Sequence, residues 1–155
     1  MKTIKKHDLV LCKIQARIFE KSINLNTSSP IFVRRFMNSK IVTHLDSRLF
    51  LSEANSELDV YWELEKEYGP FDFGQIKYPK EVLHWMGYLY RYWACTYDFT
   101  SKQLYEIIPG KELAELYYGY HSLSIPQAIE RIMEAKNIDN KEVDELELIR
   151  KRHHQ

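Results

Sequence analysis

The segment KEVLHWMGYLYRYWACTY, residues 80–97, constrains the fold more than any other part of the chain. It follows Pro79 and runs eighteen residues without a turn signal, which favours helix even though Tyr and Trp also suit strands. Val82, Met86, Leu89 and Trp93 form one helical stripe, and Trp85, Tyr92 and Thr96 broaden it. His84, Tyr88, Arg91 and Cys95 fall on the opposite side. A helix so apolar round its circumference needs neighbours on several sides. The segment is therefore predicted to be the centre of a helical bundle, with the lone Gly87 marking a close helix–helix crossing.

The flanking sequence supplies the neighbours. Residues 7–23 place Leu11, Ile14 and Ile18 at helical spacing, with Lys13, Arg17 and Lys21 opposite. Ser29 followed by Pro30 reads as an N-cap and first helical position. It opens a predicted helix over 30–45 with the stripe Val33, Met37, Ile41 and Leu45. Residues 46–56 are compatible with a helical turn or a short strand. A helix over 57–68 is expected to turn Leu58, Tyr61 and Trp62 inward, and Gly69 with Pro70 ends it. The glycines and aromatics of 69–78 read as a loop. Thr100 with Gln103, and Ser124 with Gln127, have capping-box spacing. They open helices over 101–108 and 125–136, with a further helix over 111–119 between them. The expectation is a mainly α, single-domain bundle of six or seven helices over residues 1–136. Residues 137–155 form a charged extension, helical or partly disordered.

Composition agrees with one domain. The chain has 155 residues, enough for a real core, and only five Gly and five Pro, too few for a many-stranded sheet. Net charge is zero, which argues against a general nucleic-acid coat. Charge is nonetheless segregated. Residues 1–40 carry nine Lys/Arg and two Asp/Glu, whereas 41–70 carry two and seven. Cys12 and Cys95 are too few and too far apart in sequence for a disulfide scaffold or a zinc site, and both read as small buried hydrophobes. No signal peptide or membrane span is evident, so the expected compartment is the cytoplasm.

Enzyme signatures do not occur: there is no phosphate-cradling glycine loop, no HExxH and no GxSxG. The six histidines show no metal-ligand spacing, and no cofactor is implied. His84 and Arg91 are polar exceptions two turns apart on an apolar helix. They suggest either a polar pocket or a structural pair to a carboxylate from another helix. Arg34 and Arg35 suggest either an anion-binding grip or solvated charge. Tyr117, Tyr118, Tyr120 and His121 are too dense for one short helix to bury, so some reach the surface, where Tyr serves interfaces well. The pair of helices at 101–119 raises a helix-turn-helix reading, but the second one begins GKELAELYYGY, with two Glu where base-reading groups belong.

Three stretches carry a resemblance: SSPIFVRRFMNSKIVTHLD at 28–46, WMGYLYRYWACTY at 85–97 and YHSLSIPQAIERIMEA at 120–135. Together they resemble a family of small, poorly characterised proteins of Gram-positive and related bacteria, antitoxin-like members of toxin–antitoxin pairs. The resemblance covers about half of the chain and carries over no catalytic or binding residue. It implies a bacterial protein that restrains a toxin-like partner. The leading expectation is a non-enzymatic antitoxin-like protein whose partner-binding surface comprises Arg34, Arg35, Tyr118, Tyr120 and His121. The alternatives are a small enzyme or ligand-binding protein with a polar site near His84, Arg91 and His121, and a DNA-binding autoregulator.

Overall fold

A computed structural model describes residues 1–51, 53 and 56–138. Among these the chain is all helical and has no strand. The elements are α1 (Lys6–Lys21), α2 (Ser29–Met37), α3 (Val42–Asp46), α4 (Glu57–Tyr68), α5 (Lys80–Tyr97), α6 (Ser101–Ile107), α7 (Gly110–Tyr120) and α8 (Ile125–Ala135). A single 3-10 turn at Ser22–Asn24 follows α1.

The central place of α5 is confirmed. Thirteen of its eighteen residues are buried. α1 packs along its length, while α6, α7 and α8 cover other sides. One contiguous core results, with Phe19, Phe32, Phe36, Tyr90 and Trp93 among its largest members. The row Gly87, Arg91, Cys95 faces α1. A Cβ added at Gly87 would stand 2.7 Å from the Gln15 carbonyl oxygen and 2.9 Å from Phe19 Cγ. Only glycine lets the two backbones come this close. Gln15 uses the approach: its Nε2 donates to the Gly87 carbonyl at 3.0 Å.

The capping boxes at Thr100/Gln103 and Ser124/Gln127 both form. A third, Ser56/Asp59, opens α4. Asn137 adopts a left-handed conformation (φ 57°), and the Ile138 amide donates to the Met133 carbonyl, which closes α8. Of the predicted extension, residues 139–155 lie outside the described residues.

Three expectations need correction. The helix predicted over 30–45 is two helices. Ser39 turns its hydroxyl to the Phe36 carbonyl (2.7 Å) and accepts from the Val42 amide (3.1 Å). Glu67, reaching over from α4, accepts the Lys40 amide with both carboxylate oxygens. A distant side chain thus satisfies backbone at the break. The cap of α2 is Ser28 rather than Ser29. On α4, Leu58 and Trp62 face solvent, at 77% and 58% exposure, while Val60 and Leu64 are buried. Three polar contacts hold this rotation: Glu57 meets Arg17 (2.5 Å) and Lys21 (2.8 Å) of α1, and the Tyr61 hydroxyl donates to the Ile18 carbonyl (2.6 Å). Of the two readings left open for 46–56, residues 47–51 take the turn and not the strand. Phe50 is buried there, between half-exposed Leu49 and Leu51.

Candidate protein-docking groove

The amides at the N-terminus of α2 have no partner inside their helix. The loop 69–78 supplies partners. Ser28 N–H donates to the Phe73 carbonyl (2.7 Å), and Ser29 N–H to the Ile76 carbonyl (2.7 Å). The Thr27 hydroxyl also donates to the Phe73 carbonyl, and the Tyr78 amide donates to the Ser29 hydroxyl (2.9 Å). The Lys77 ammonium donates to the Thr27 carbonyl (2.5 Å) and to the Leu25 carbonyl; burial lowers its pKa from the ordinary lysine value. Gly74 lies 3.0 Å, by its missing Cβ, from Ser28 Cβ and has φ +81°, so this tight seat requires glycine. The loop is thereby pinned to the end of α2, and 76–79 stand off from α7.

Between them runs an apolar groove of about 330 Å³. Pro30, Pro79, Val82 and Ala114 line it, with Ile76 and Tyr118 on its walls. Ile76 is 68% exposed and Tyr118 70%. Lys111 and Glu115, one turn apart on α7, give it one charge of each sign. Tyr78 also lines it, with its hydroxyl buried and without a hydrogen-bond partner among the described residues. Burial, aided by Tyr105 and Glu115 nearby, raises the Tyr78 pKa, so the phenol stays protonated and able to donate.

The predicted partner-binding residues are dispersed. Tyr118 lines the groove. Tyr120 is half-buried against the core. His121 is exposed just past α7, with its ring stacked on Tyr117 (4.5 Å between centroids) and its Nδ1 2.8 Å from the Tyr117 carbonyl oxygen. Arg34 is exposed. Arg35 is half-buried, its guanidinium 5.3 Å from the Tyr68 ring centre and 5.1 Å from that of Phe73. It therefore braces the far end of the loop that forms the groove wall, and its buried Nη1 has no partner among the described residues. Ile76 and Tyr78 were not singled out from sequence. The usable signal was two large side chains in a Gly- and Pro-punctuated segment otherwise read only as a loop.

His84 and Arg91 do not share a pocket. Arg91 is 1% exposed, and its guanidinium donates to Gln15 Oε1 (2.8 Å), Asp46 Oδ1 (2.8 Å) and Ser101 Oγ (2.9 Å). Asp46 Oδ1 also accepts the Ser101 hydroxyl (2.7 Å), and Oδ2 the Ser101 amide (3.1 Å). This is a structural pair to a carboxylate from another helix, α3. His84 sits outside it, exposed, with Nδ1 3.7 Å from Glu20 Oε1. The α6–α7 pair exists, but a Cβ at Gly110 would be 2.7 Å from Val33 Cγ1, so the first turn of α7 is pressed onto α2. Among the described residues no group of three or more His, Cys, Asp or Glu could hold a metal ion, and no helix is long and apolar enough to cross a membrane. No protein-family model, no curated protein and no solved structure matches the chain.

Proposed function

We propose that this chain is a non-enzymatic binding protein that receives an apolar segment of a cognate protein in the groove between 76–79 and α7. The observation that carries the reading is the pairing of two highly exposed large side chains, Ile76 and Tyr118, across an apolar cleft whose wall is already fixed by hydrogen bonds. Contiguous exposed apolar surface of this kind marks interaction sites, and Tyr is favoured among residues that dominate binding energy. Lys111 and Glu115 would set the orientation of the bound segment. The resemblance noted above supports a toxin-like partner, neutralised by occlusion of its surface. Of the five residues expected to form the surface, Tyr118 contacts the partner in this reading and Arg35 supports the loop.

Affinity capture of the tagged chain from cells that produce it, with mass spectrometry, identifies the companion. Titration of that companion against Ile76→Ser/Tyr118→Ala then tests the groove. Two anchor residues at about 2 kcal/mol each predict roughly a thousandfold loss of affinity. Because both side chains are exposed, folding should be unaffected. Unchanged affinity in the folded double variant would refute the groove as the docking site.

A further inference from the structure

The outer face of α4 has no cover among the described residues. Leu58 and Trp62 stand one turn apart on it, both largely in solvent. The indole is already held: the Lys66 ammonium, one turn further along, lies 4.0 Å from the centre of its ring. Towards α1, Leu58 borders a cleft of about 420 Å³ that the buried Ile14 and Phe50 also line. The apolar stripe therefore continues sideways into a hollow.

The rim of this stripe is acidic. Glu65 shares its face, and Asp59 and Glu63 border its other edge. The Glu65 carboxylate meets no cation among the described residues. Asp59 accepts the Ser56 amide (2.7 Å) and hydroxyl (3.0 Å) and meets no cation there either. Glu63 has only Lys66, at 3.6 Å. Glu57, by contrast, is already neutralised by Arg17 and Lys21 of α1. Three carboxylates thus stand round the stripe against one ammonium.

We propose that this face is a second protein-docking surface, sharing no residue with the groove, and that its occupant is a basic amphipathic segment of a partner protein. Aliphatic side chains of the segment cover Leu58 and Trp62 and enter the cleft, while flanking Lys or Arg meet Glu63, Glu65 and Asp59. Charge selects the occupant. A second copy laid two-fold across α4 sets these carboxylates against their own counterparts, which is repulsive. The phosphates of a nucleic acid or an anionic lipid surface are repelled by the same groups. An apolar stripe flanked by cations gains from both the burial and the charge.

Trp62 supplies the probe for the test. Of the three tryptophans, Trp85 and Trp93 are buried, so quenching by acrylamide reports chiefly on Trp62. The full-length chain is titrated with a synthetic helical peptide of Leu and Lys in amphipathic order, and with its Leu/Glu counterpart. The Leu/Lys peptide should shift the emission to the blue and protect it from acrylamide; the Leu/Glu peptide should do neither. Leu58→Ser and Glu63→Gln/Glu65→Gln should each weaken binding about tenfold or more, and raising salt from about 50 to 500 mM should weaken it several-fold. These side chains reach solvent, so circular dichroism should show both variants folded. Ile76→Ser/Tyr118→Ala should leave the titration unchanged, which separates this surface from the groove. A Leu58→benzoylphenylalanine chain, irradiated in the cells that produce it, then gives the sequence of the natural occupant, expected to be net positive and amphipathic. Equal binding of the two peptides, unchanged affinity in the folded Leu58→Ser and Glu63→Gln/Glu65→Gln chains, or a cross-link to an acidic segment or to a second copy overturns the proposal.

Discussion

Replacing Asp46 with Ala leaves the Arg91 guanidinium buried without its carboxylate. Arg91 is 1% exposed, so water replaces the lost partner only in small part. Gln15 and Ser101 still accept two of its N–H groups, but neither carries charge. The Ser101 amide and hydroxyl lose their acceptor as well. Breaking a buried pair from one side costs about 3–5 kcal/mol, a large share of the roughly 5–15 kcal/mol that holds a domain folded. For a chain of this length that is a fall in thermal midpoint of about 6–20 °C. Arg91→Met is the informative contrast. Asp46 would keep both Ser101 donors and is 14% exposed on its side chain, so the cost should be nearer 1–3 kcal/mol. The double variant should cost at least about 1 kcal/mol less than the sum of the singles, because no charge is then stranded. Urea unfolding followed by circular dichroism and Trp fluorescence measures all three. A loss below about 1 kcal/mol for Asp46→Ala, or strict additivity in the cycle, would refute the argument from charge burial.

Other substitutions test the packing and the surface. Gly87→Ala forces a Cβ against the Gln15 carbonyl and should cost about 1–3 kcal/mol. Gly119→Ala, on the same scale of chemistry but with nothing within 4 Å, should stabilise by about 0.5–1 kcal/mol; denaturant midpoints distinguish them. Burial tends to raise the Glu57 pKa, but hydrogen bonds from Lys21 and Arg17 outweigh it and the carboxyl ends below its ordinary value. Its contribution to stability is thus present above about pH 4.5 and lost as pH falls through the lower folded value, so melting profiles of Glu57→Gln should be flatter than wild type in acid. Leu58→Ser and Trp62→Ala face solvent and should each change stability by no more than about 0.5 kcal/mol, as read by differential scanning calorimetry.

What sequence reveals about this fold follows from the range of the interactions involved. The central helix announced itself because a stripe every three or four residues is a local pattern. The caps at Thr100 and Ser124 did so because hydroxyl and amide are three residues apart. The break after Met37 carries no Gly or Pro, and depends on Glu67 reaching the Lys40 amide from 27 residues away. The rotation of α4 was open to two readings, since Leu58/Trp62 and Val60/Leu64 are both apolar pairs one turn apart. Glu57 chose between them through cations on α1. The site was less legible than the fold. Tyr118 could be picked out because a short helix cannot bury four aromatic rings. Ile76 acquires its place only when the loop is pinned to Ser28 and Ser29, a pairing no periodicity encodes.

The pairing of α1 with α5 also governs the order in which the chain can fold. Helical domains usually fold fast because their contacts are local. Here the largest seam joins residues such as Gln15 and Gly87, 72 positions apart. During synthesis α1 leaves the ribosome with Leu11, Ile18 and Phe19 uncovered, and their cover is not yet made. At roughly 5–20 residues per second the wait lasts several seconds. Until α5 arrives the apolar face of α1 has no cover, and folding can commit only late, once the eighteen residues of its partner have emerged.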